Sequence, residues 1–137
     1  MMCKRIRCFS VMVVALLLVA AVAACGSPSA TPMLTKAQQD KIAFDLSTIN
    51  DRGLRGPPNG LRSVSYEFCI PPGERYASEV TRIDPTLELM RGSRGRIGCT
   101  KNQTLCVGNT GQKGYRQVLD RLAGLDYVNR IVESTFE

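Results

Sequence analysis

The sequence contains no histidine and no tryptophan, and its aromatic residues are limited to four tyrosines and four phenylalanines. Without imidazole, the chain can form neither a histidine-dependent catalytic triad nor the usual histidine-based metal sites. Only 12 residues are acidic, and no pair in the middle of the chain has a spacing that indicates acid–base catalysis. We expect a protein that is not an enzyme and uses no metal or cofactor. Five acids are interpreted as solvent-facing charges: Glu67, Glu74, Glu79, Asp84 and Glu88.

The first 24 residues have the three-part pattern of an export signal. Lys4, Arg5 and Arg7 form a basic start, and residues 11–24 form an unbroken apolar run of 14 residues. This run is shorter than the roughly 20 residues that a membrane-spanning helix needs. A basic start, a short apolar segment and small residues at its end are typical of a secretory signal peptide.

The signal ends in Val22-Ala23-Ala24-Cys25, and this motif resembles the lipobox of bacterial lipoproteins. The resemblance extends over residues 1–26 and does not concern the rest of the chain. It implies that the Cys25 thiol receives a diacylglycerol, that the chain is cut between Ala24 and Cys25, and that the new amine is usually acylated. The alternative is an ordinary signal peptide cleaved after Ala23, which would leave Cys25 as a spare thiol.

Two or three acyl chains anchor a protein stably in a membrane, so the resemblance implies a lipid-anchored protein of the bacterial cell envelope. In enterobacterial lipoproteins an Asp after the lipidated cysteine favours the inner membrane. Gly26 in that position favours the outer membrane, with the domain at its periplasmic face. Removing the three basic residues of the signal lowers the formal net charge from +6 to +3. We expect an envelope protein or glycan as the partner, and no nucleic acid.

The mature chain has the length of one domain. Residues 25–32 are small or polar and contain two prolines, so we predict a flexible linker over residues 25–34. Residues 35–137 are predicted to form a single α+β domain. Thr35 and Gln38 form a capping-box pattern, which predicts a helix over residues 37–52.

The remainder of the domain, residues 61–136, is predicted to form a ferredoxin-like βαββαβ sandwich. Apolar residues alternate in its strands, and two segments have apolar stripes with helical spacing. Right-handed connections would place both helices on one face of an antiparallel sheet. The strands are predicted at residues 63–70, 87–90 with a continuation at 96–99, 104–107 and 128–136, and the helices at residues 76–83 and 115–125.

Three cysteines remain in the domain: Cys69, Cys99 and Cys106. Because the envelope is oxidising, we expect a disulfide between two of them. Cys99 and Cys106 flank a predicted hairpin with its tip at residues 101–103, so we favour their pairing. Cys69–Cys106 and Cys69–Cys99 remain as alternatives. A redox or zinc site is disfavoured, because there is no Cys-x-x-Cys motif and no fourth ligand.

Two glycine-rich segments contain basic residues that are candidate contacts for an anion or a partner. The first contains Arg91, Arg94 and Arg96, and the second leads into a helix and contains Lys113 and Arg116. Backbone N–H groups before a helix, together with cations, are typical of phosphate or carboxylate sites. Neither segment has a P-loop or dinucleotide-binding motif. The simpler interpretation is a pair of turns with solvated charges.

These features favour a binding module whose exposed sheet face or arginine-containing loops contact an envelope partner. The alternative is a structural or inhibitory protein that acts on an exported enzyme, a role that rests on fold analogy alone. A small hydrolase or redox enzyme is least favoured, because the sequence contains no catalytic constellation.

Overall fold

A computed structural model describes residues 34–135. The predicted signal peptide, the lipobox with Cys25 and the linker up to residue 33 lie outside the described residues. Within them the protein is α+β, as predicted, with three α-helices and two antiparallel sheets. None of these helices has the length and apolar run needed to cross a membrane. The elements are α1 (Lys36–Gln39), β1 (Leu54–Arg55), β2 (Arg62–Ser63), β3 (Ser65–Ile70), α2 (Glu74–Ile83), β4 (Glu88–Arg91), β5 (Thr104–Asn109), α3 (Tyr115–Ala123) and β6 (Val132–Glu133).

The main sheet has four strands in the order β4-β5-β3-β6, and every neighbouring pair is antiparallel. The central strand β3 pairs along its whole length with β5 and over two residues with β6. Strands β1 and β2 form a separate small hairpin, and residues 56–60 lie at its tip. Within residues 34–135 the strand β4 pairs with β5 alone, so it lies at an edge of the main sheet.

The core lies on one face of the main sheet, as the alternating pattern of β3 predicts. Tyr66, Phe68 and Ile70 are buried on this face and pack in one cluster with residues of α2 and α3. Val80 of α2 and Leu119 of α3 are fully buried members of that cluster. The apolar stripes of both helices therefore face the core, and this burial is the main source of their stability.

The predicted N-terminal helix is present with its capping box, but it is much shorter than the predicted span of residues 37–52. The Thr35 side chain accepts from the Gln38 backbone N–H, and the Gln38 side chain accepts from Thr35. The α-helix nevertheless ends at Gln39. Ala43 N–H then donates to the Ile131 carbonyl, and Ile131 N–H donates to the Lys41 carbonyl, both at 2.8 Å. Backbone groups that bind Ile131 cannot also form helical hydrogen bonds.

The connection between β4 and β5 also differs from the prediction. Residues 96–99 do not continue β4, and the strand pairing stops where Arg91 lies opposite Thr104. The twelve intervening residues form a loop in which the N–H groups of Gly98 and Cys99 both donate to the Arg94 carbonyl. These bonds turn the chain at residues 94–99, and a second turn forms where the Gln103 N–H donates to the Thr100 carbonyl at 3.0 Å. Because residues 96–99 do not pair with β5, this turn is not the tip of the predicted hairpin.

Candidate functional site

Three of the five predicted contact residues lie together in residues 91–99, which we call the arginine loop. The side chains of Arg91, Arg94 and Arg96 are all exposed. Arg91 Nη2 lies 3.9 Å from a carboxylate oxygen of Glu74, and both side chains are about four-fifths exposed. Arg96 Nη1 donates to Thr135 Oγ1 at 3.2 Å. Ion pairs this exposed are weak, so the three guanidinium groups are accessible to a partner.

The backbone of the arginine loop lies against the sheet face opposite the core. The Glu67 carboxylate, on the β3 strand, is only 2% exposed and accepts a hydrogen bond from the Ile97 N–H. Gly95 has a φ of +57°, and a Cβ added there would lie 2.7 Å from Leu105 Cδ1. The prediction that Glu67 faces solvent is therefore wrong, because the loop covers it.

A disulfide between Cys69 and Cys99 attaches the loop to β3, with the two Cα atoms 5.6 Å apart. The prediction of a disulfide in the domain is confirmed, but the favoured Cys99–Cys106 pairing is wrong. In the strand register Cys106 lies opposite Phe68 and belongs to the core, whereas Cys69 lies opposite Leu105 on the outer face. Cys99 comes to the outer face with the loop, so of the two other cysteines among the described residues it reaches Cys69 and not Cys106.

The third cysteine of the domain, Cys106, has no disulfide partner among residues 34–135. It is fully buried, and burial raises the pKa of its thiol to about 12. A thiol with that pKa is protonated at neutral pH and is a poor nucleophile. Among the described residues no group of three or more His, Cys, Asp or Glu side chains is arranged to hold a metal ion.

The other two predicted contact residues, Lys113 and Arg116, are remote from the arginine loop. They follow the opposite end of β5, and a strand of six residues spans about 17 Å. Arg116 Nη2 donates to the carbonyls of Leu46 and Ile49, each at 3.0 Å, and so binds the ends of a short 3₁₀ turn. Lys113 is exposed. The two basic segments therefore do not converge on one anion site.

A groove with a volume of about 570 Å³ lies beside the arginine loop, between α2 and the edge strand β4. Its lining includes Arg82 at the helix and Leu89 and Arg91 on the strand. The next strand residue, Met90, is the large apolar side chain that is most open among the described residues, at 37% exposure. Arg91 belongs both to the arginine loop and to the lining of the groove, so the two adjoin at the end of β4.

A buried polar network around Asp84 was not predicted from the sequence. Asp84, predicted to face solvent, is fully buried. Its carboxylate accepts from the Tyr66 hydroxyl, from the N–H and hydroxyl of Thr86 at 2.8 and 2.7 Å, and from Gln112 Nε2 at 2.9 Å. Burial, and then the Asp84 carboxylate, raise the pKa of Tyr66, so its hydroxyl remains a donor. Asp-Pro-Thr is a local turn signal, but nothing local indicates Tyr66 or Gln112. Because its oxygens are satisfied internally, we assign the network a structural role.

Comparisons with protein families, with curated proteins and with solved structures find no match for the chain. The functional argument therefore depends on the geometry of the described residues. The arginine loop is the feature that distinguishes this domain from a simple packed sheet, because three exposed cations lie on a backbone that is fixed at several points.

Proposed function

We propose that the protein is a bacterial cell-envelope lipoprotein, anchored through Cys25, whose domain binds a partner through the arginine loop. The observation that supports this function is the combination of a fixed backbone with exposed guanidinium groups. Loops with functional roles are commonly positioned by a rigid scaffold, and here β3 is the scaffold. The sequence resemblance to lipoproteins supplies the anchor, and the arginine loop supplies the contact.

Pre-organisation is the physical reason for choosing this loop. A twelve-residue connection without secondary structure would ordinarily lose much conformational freedom on binding. Here the Cys69–Cys99 disulfide, the Glu67–Ile97 hydrogen bond and the packing of Gly95 fix the backbone before binding. Less ordering is then required in the complex, which favours affinity.

The chemistry of the loop indicates an anionic partner surface. Arginine forms paired, planar hydrogen bonds with carboxylate and phosphate groups, and it does so more specifically than lysine. An envelope protein with exposed acidic residues, or an anionic glycan, would meet this requirement. The +3 charge of the mature chain is compatible with such a partner but does not identify it.

The fold itself is part of the proposal. We propose that residues 61–135 adopt the ferredoxin-like arrangement, since the strand order β4-β5-β3-β6 places another strand between the two strands of each βαβ half. An experimental structure with the strand order β4-β5-β3-β6 and both helices on the core face would support this assignment. A different strand order would contradict it.

A second candidate function is inhibition of an exported enzyme through strand addition to the open edge of β4. The exposed Met90 and the adjacent groove favour this candidate. Met90→Pro would remove a backbone donor from the strand. It would reduce inhibition of such an enzyme, whereas binding through the arginine loop would persist.

The binding function is tested by capture from detergent-solubilised envelopes with the acylated, full-length protein. We expect Arg91, Arg94 and Arg96, changed together to Gln, to lower capture of the enriched partner by about tenfold or more. The matched control changes three exposed arginines elsewhere, Arg52, Arg121 and Arg130, and removes the same charge. Equal capture by both triple variants would contradict the assignment of the loop.

The anchor is tested separately. Cys25→Ser is expected to abolish incorporation of labelled fatty acid and to leave an uncleaved precursor, because the thiol is the acceptor of the lipid. Electrophoresis with palmitate labelling measures both effects. Normal processing of this variant would instead support an ordinary secreted protein.

A further inference from the structure

A second cleft, with a volume of about 300 Å³, lies where the small hairpin meets the end of the main sheet. It is lined by parts of β1 and β2, by Val64 and the start of β3, by Glu133 at the end of β6 and by the two residues that follow it. Ser65, Ser134 and Thr135 contribute hydroxyl-bearing side chains, and Arg62 contributes a guanidinium group. The cleft lies outside the groove beside α2, and it shares no lining residue with that groove.

One of these hydroxyl groups lacks a partner. Ser134 is 4% exposed, and its Oγ is a buried oxygen without a hydrogen-bond partner within residues 34–135. The backbone of the same residue is fixed, since its N–H donates to the Ser65 carbonyl at 2.8 Å. A buried hydroxyl without a partner costs free energy, and native proteins seldom leave one in that state. Because the Oγ itself is closed off from the cleft, a ligand oxygen there would satisfy it only after the Ser134 side chain rotates to another rotamer.

The charges around the cleft are unevenly compensated. Arg55 and Arg62 lie directly opposite each other in the hairpin, where two like charges repel. Glu133 binds Arg55 through both carboxylate oxygens, with Nη1 to Oε2 at 3.0 Å. The negative charge of Glu133 therefore compensates the positive charge of Arg55. Arg62 has no acidic partner among the described residues. Arg96 adds a further cation at the rim through its contact with Thr135.

We propose that this cleft binds a phosphoryl group, with Arg62 as the principal cation and Ser134 Oγ as a buried donor. A phosphoryl group has enough acceptor oxygens to receive bonds from guanidinium and hydroxyl groups at the same time. Ser65 and Thr135 add hydroxyl donors along the walls, and Arg96 approaches from the arginine loop. The site shares Arg96 with the arginine loop but uses neither Arg91 nor Arg94 of the partner contact proposed above.

Calorimetric titration of the full-length protein in a neutral detergent tests this site with three probes: inorganic phosphate, dihexanoyl phosphatidylglycerol and acetate. We expect saturable binding of at least one phosphate-containing probe, and weaker binding of acetate. Binding of inorganic phosphate alone would identify a free-anion site, and binding of phosphatidylglycerol alone a lipid-headgroup site. Absence of saturable phosphate binding, or acetate binding of equal strength, would overturn the proposal.

Variants assign the binding to the cleft. Arg62→Gln should weaken the bound phosphate probe by about tenfold, since a hydrogen bond to a charged group is lost. Ser134→Ala should weaken it about threefold or more while leaving the urea midpoint unchanged or higher, because an unpaired buried hydroxyl is removed. The matched control, Arg121→Gln, should bind as the wild type does. Wild-type affinity in Arg62→Gln, or a clear loss of stability in Ser134→Ala, would contradict the assignment.

Phosphate binding by the cleft can be tested separately from partner binding by the arginine loop. The variant with Gln at positions 91 and 94 retains every residue of the cleft and should bind the phosphate probe as the wild type does. Loss of phosphate binding in that variant would place the anion in the arginine loop and would overturn the cleft site.

Discussion

The arginine loop and the loop at residues 108–114, here called the glycine loop, have similar compositions but are used differently. Both contain several glycines with basic residues in or beside them. The arginine loop buries its backbone against the sheet and leaves its guanidinium groups in solvent. At the glycine loop Arg116 instead binds the carbonyls of Leu46 and Ile49, and Gln112 reaches the buried Asp84. Two loops of similar composition therefore have different roles: one exposes its basic side chains to a partner, and the other uses its side chains to stabilise the fold.

The two loops differ because they contact different parts of the folded chain. The arginine loop meets Glu67 and Cys69 on the outer face of β3, and these two residues fix its backbone. The glycine loop leads into α3, whose Arg116 reaches two carbonyls of the N-terminal segment. The Leu46 carbonyl also accepts from the Ile49 N–H, and the Ile49 carbonyl from the Tyr115 hydroxyl. The guanidinium is therefore structural because it adds a charged donor that joins α3 to this segment.

The largest expected effect comes from removing the disulfide of the arginine loop. Cys69→Ser combined with Cys99→Ser should lower the free energy of unfolding by about 3.5 kcal/mol, because a cross-link over 30 residues constrains the unfolded chain. Urea unfolding monitored by circular dichroism measures the change. Cys106→Ala is the control, since it removes a buried sulfur without removing the cross-link. A double variant less destabilised than this control would contradict the role of the disulfide.

A substitution at Asp84 tests whether the buried polar network stabilises the glycine loop. Asp84→Ala should cost about 3 kcal/mol of unfolding free energy, because the buried donors of Tyr66 and Gln112 lose their acceptor. Glu88→Ala, at an exposed acid on β4, should change stability by less than about 0.5 kcal/mol. Chemical denaturation of the two variants in parallel makes the comparison, and equal effects would show that the buried network contributes little.

Two glycines of the arginine loop form a matched pair. Both Gly92 and Gly95 have positive φ, but only at Gly95 would a Cβ collide with Leu105. Gly92→Ala should cost about 1 kcal/mol from backbone strain, and Gly95→Ala about 2–3 kcal/mol, since steric overlap is added. Thermal unfolding ranks the two variants. If Gly92→Ala were the more damaging, the loop would not lie on the sheet as described.

The smallest expected effect concerns the two basic residues at the glycine loop, Lys113 and Arg116. Arg116→Met should lower the unfolding free energy by about 1.5 kcal/mol, because two carbonyls lose a charged donor. Lys113→Met should change it by less than about 0.5 kcal/mol, since Lys113 is exposed. Guanidinium unfolding curves give both values. Equal values would contradict the structural role of Arg116.

The parts of the fold that depend on local patterns were predictable from the sequence. The alternation in β3 and the helical stripes of α2 and α3 predicted real elements, and Thr35 with Gln38 predicted a real capping box. These signals arise from side chains within a few positions of each other, which the sequence displays directly.

The failures involve contacts between distant segments. The helix after Gln39 is interrupted by bonds to Ile131, which lies 92 positions later than that residue. The burial of Glu67 follows from a loop that folds over it, and the burial of Asp84 follows from partners in other elements. For the cysteines, a predicted strand at 96–99 gave the wrong geometry. A loop in its place brings Cys99 to the outer face, where Cys106 is absent.

The central claim is that a disulfide fixes the arginine loop on the outer face, and a non-reducing tryptic peptide map tests it most directly. Cleavage after arginine and lysine separates Cys69, Cys99 and Cys106 into the peptides 63–75, 97–101 and 102–113. After alkylation of the unfolded, unreduced protein, we predict peptides 63–75 and 97–101 joined by a disulfide and an alkylated peptide 102–113. A disulfide between peptide 102–113 and either of the other two would contradict the account.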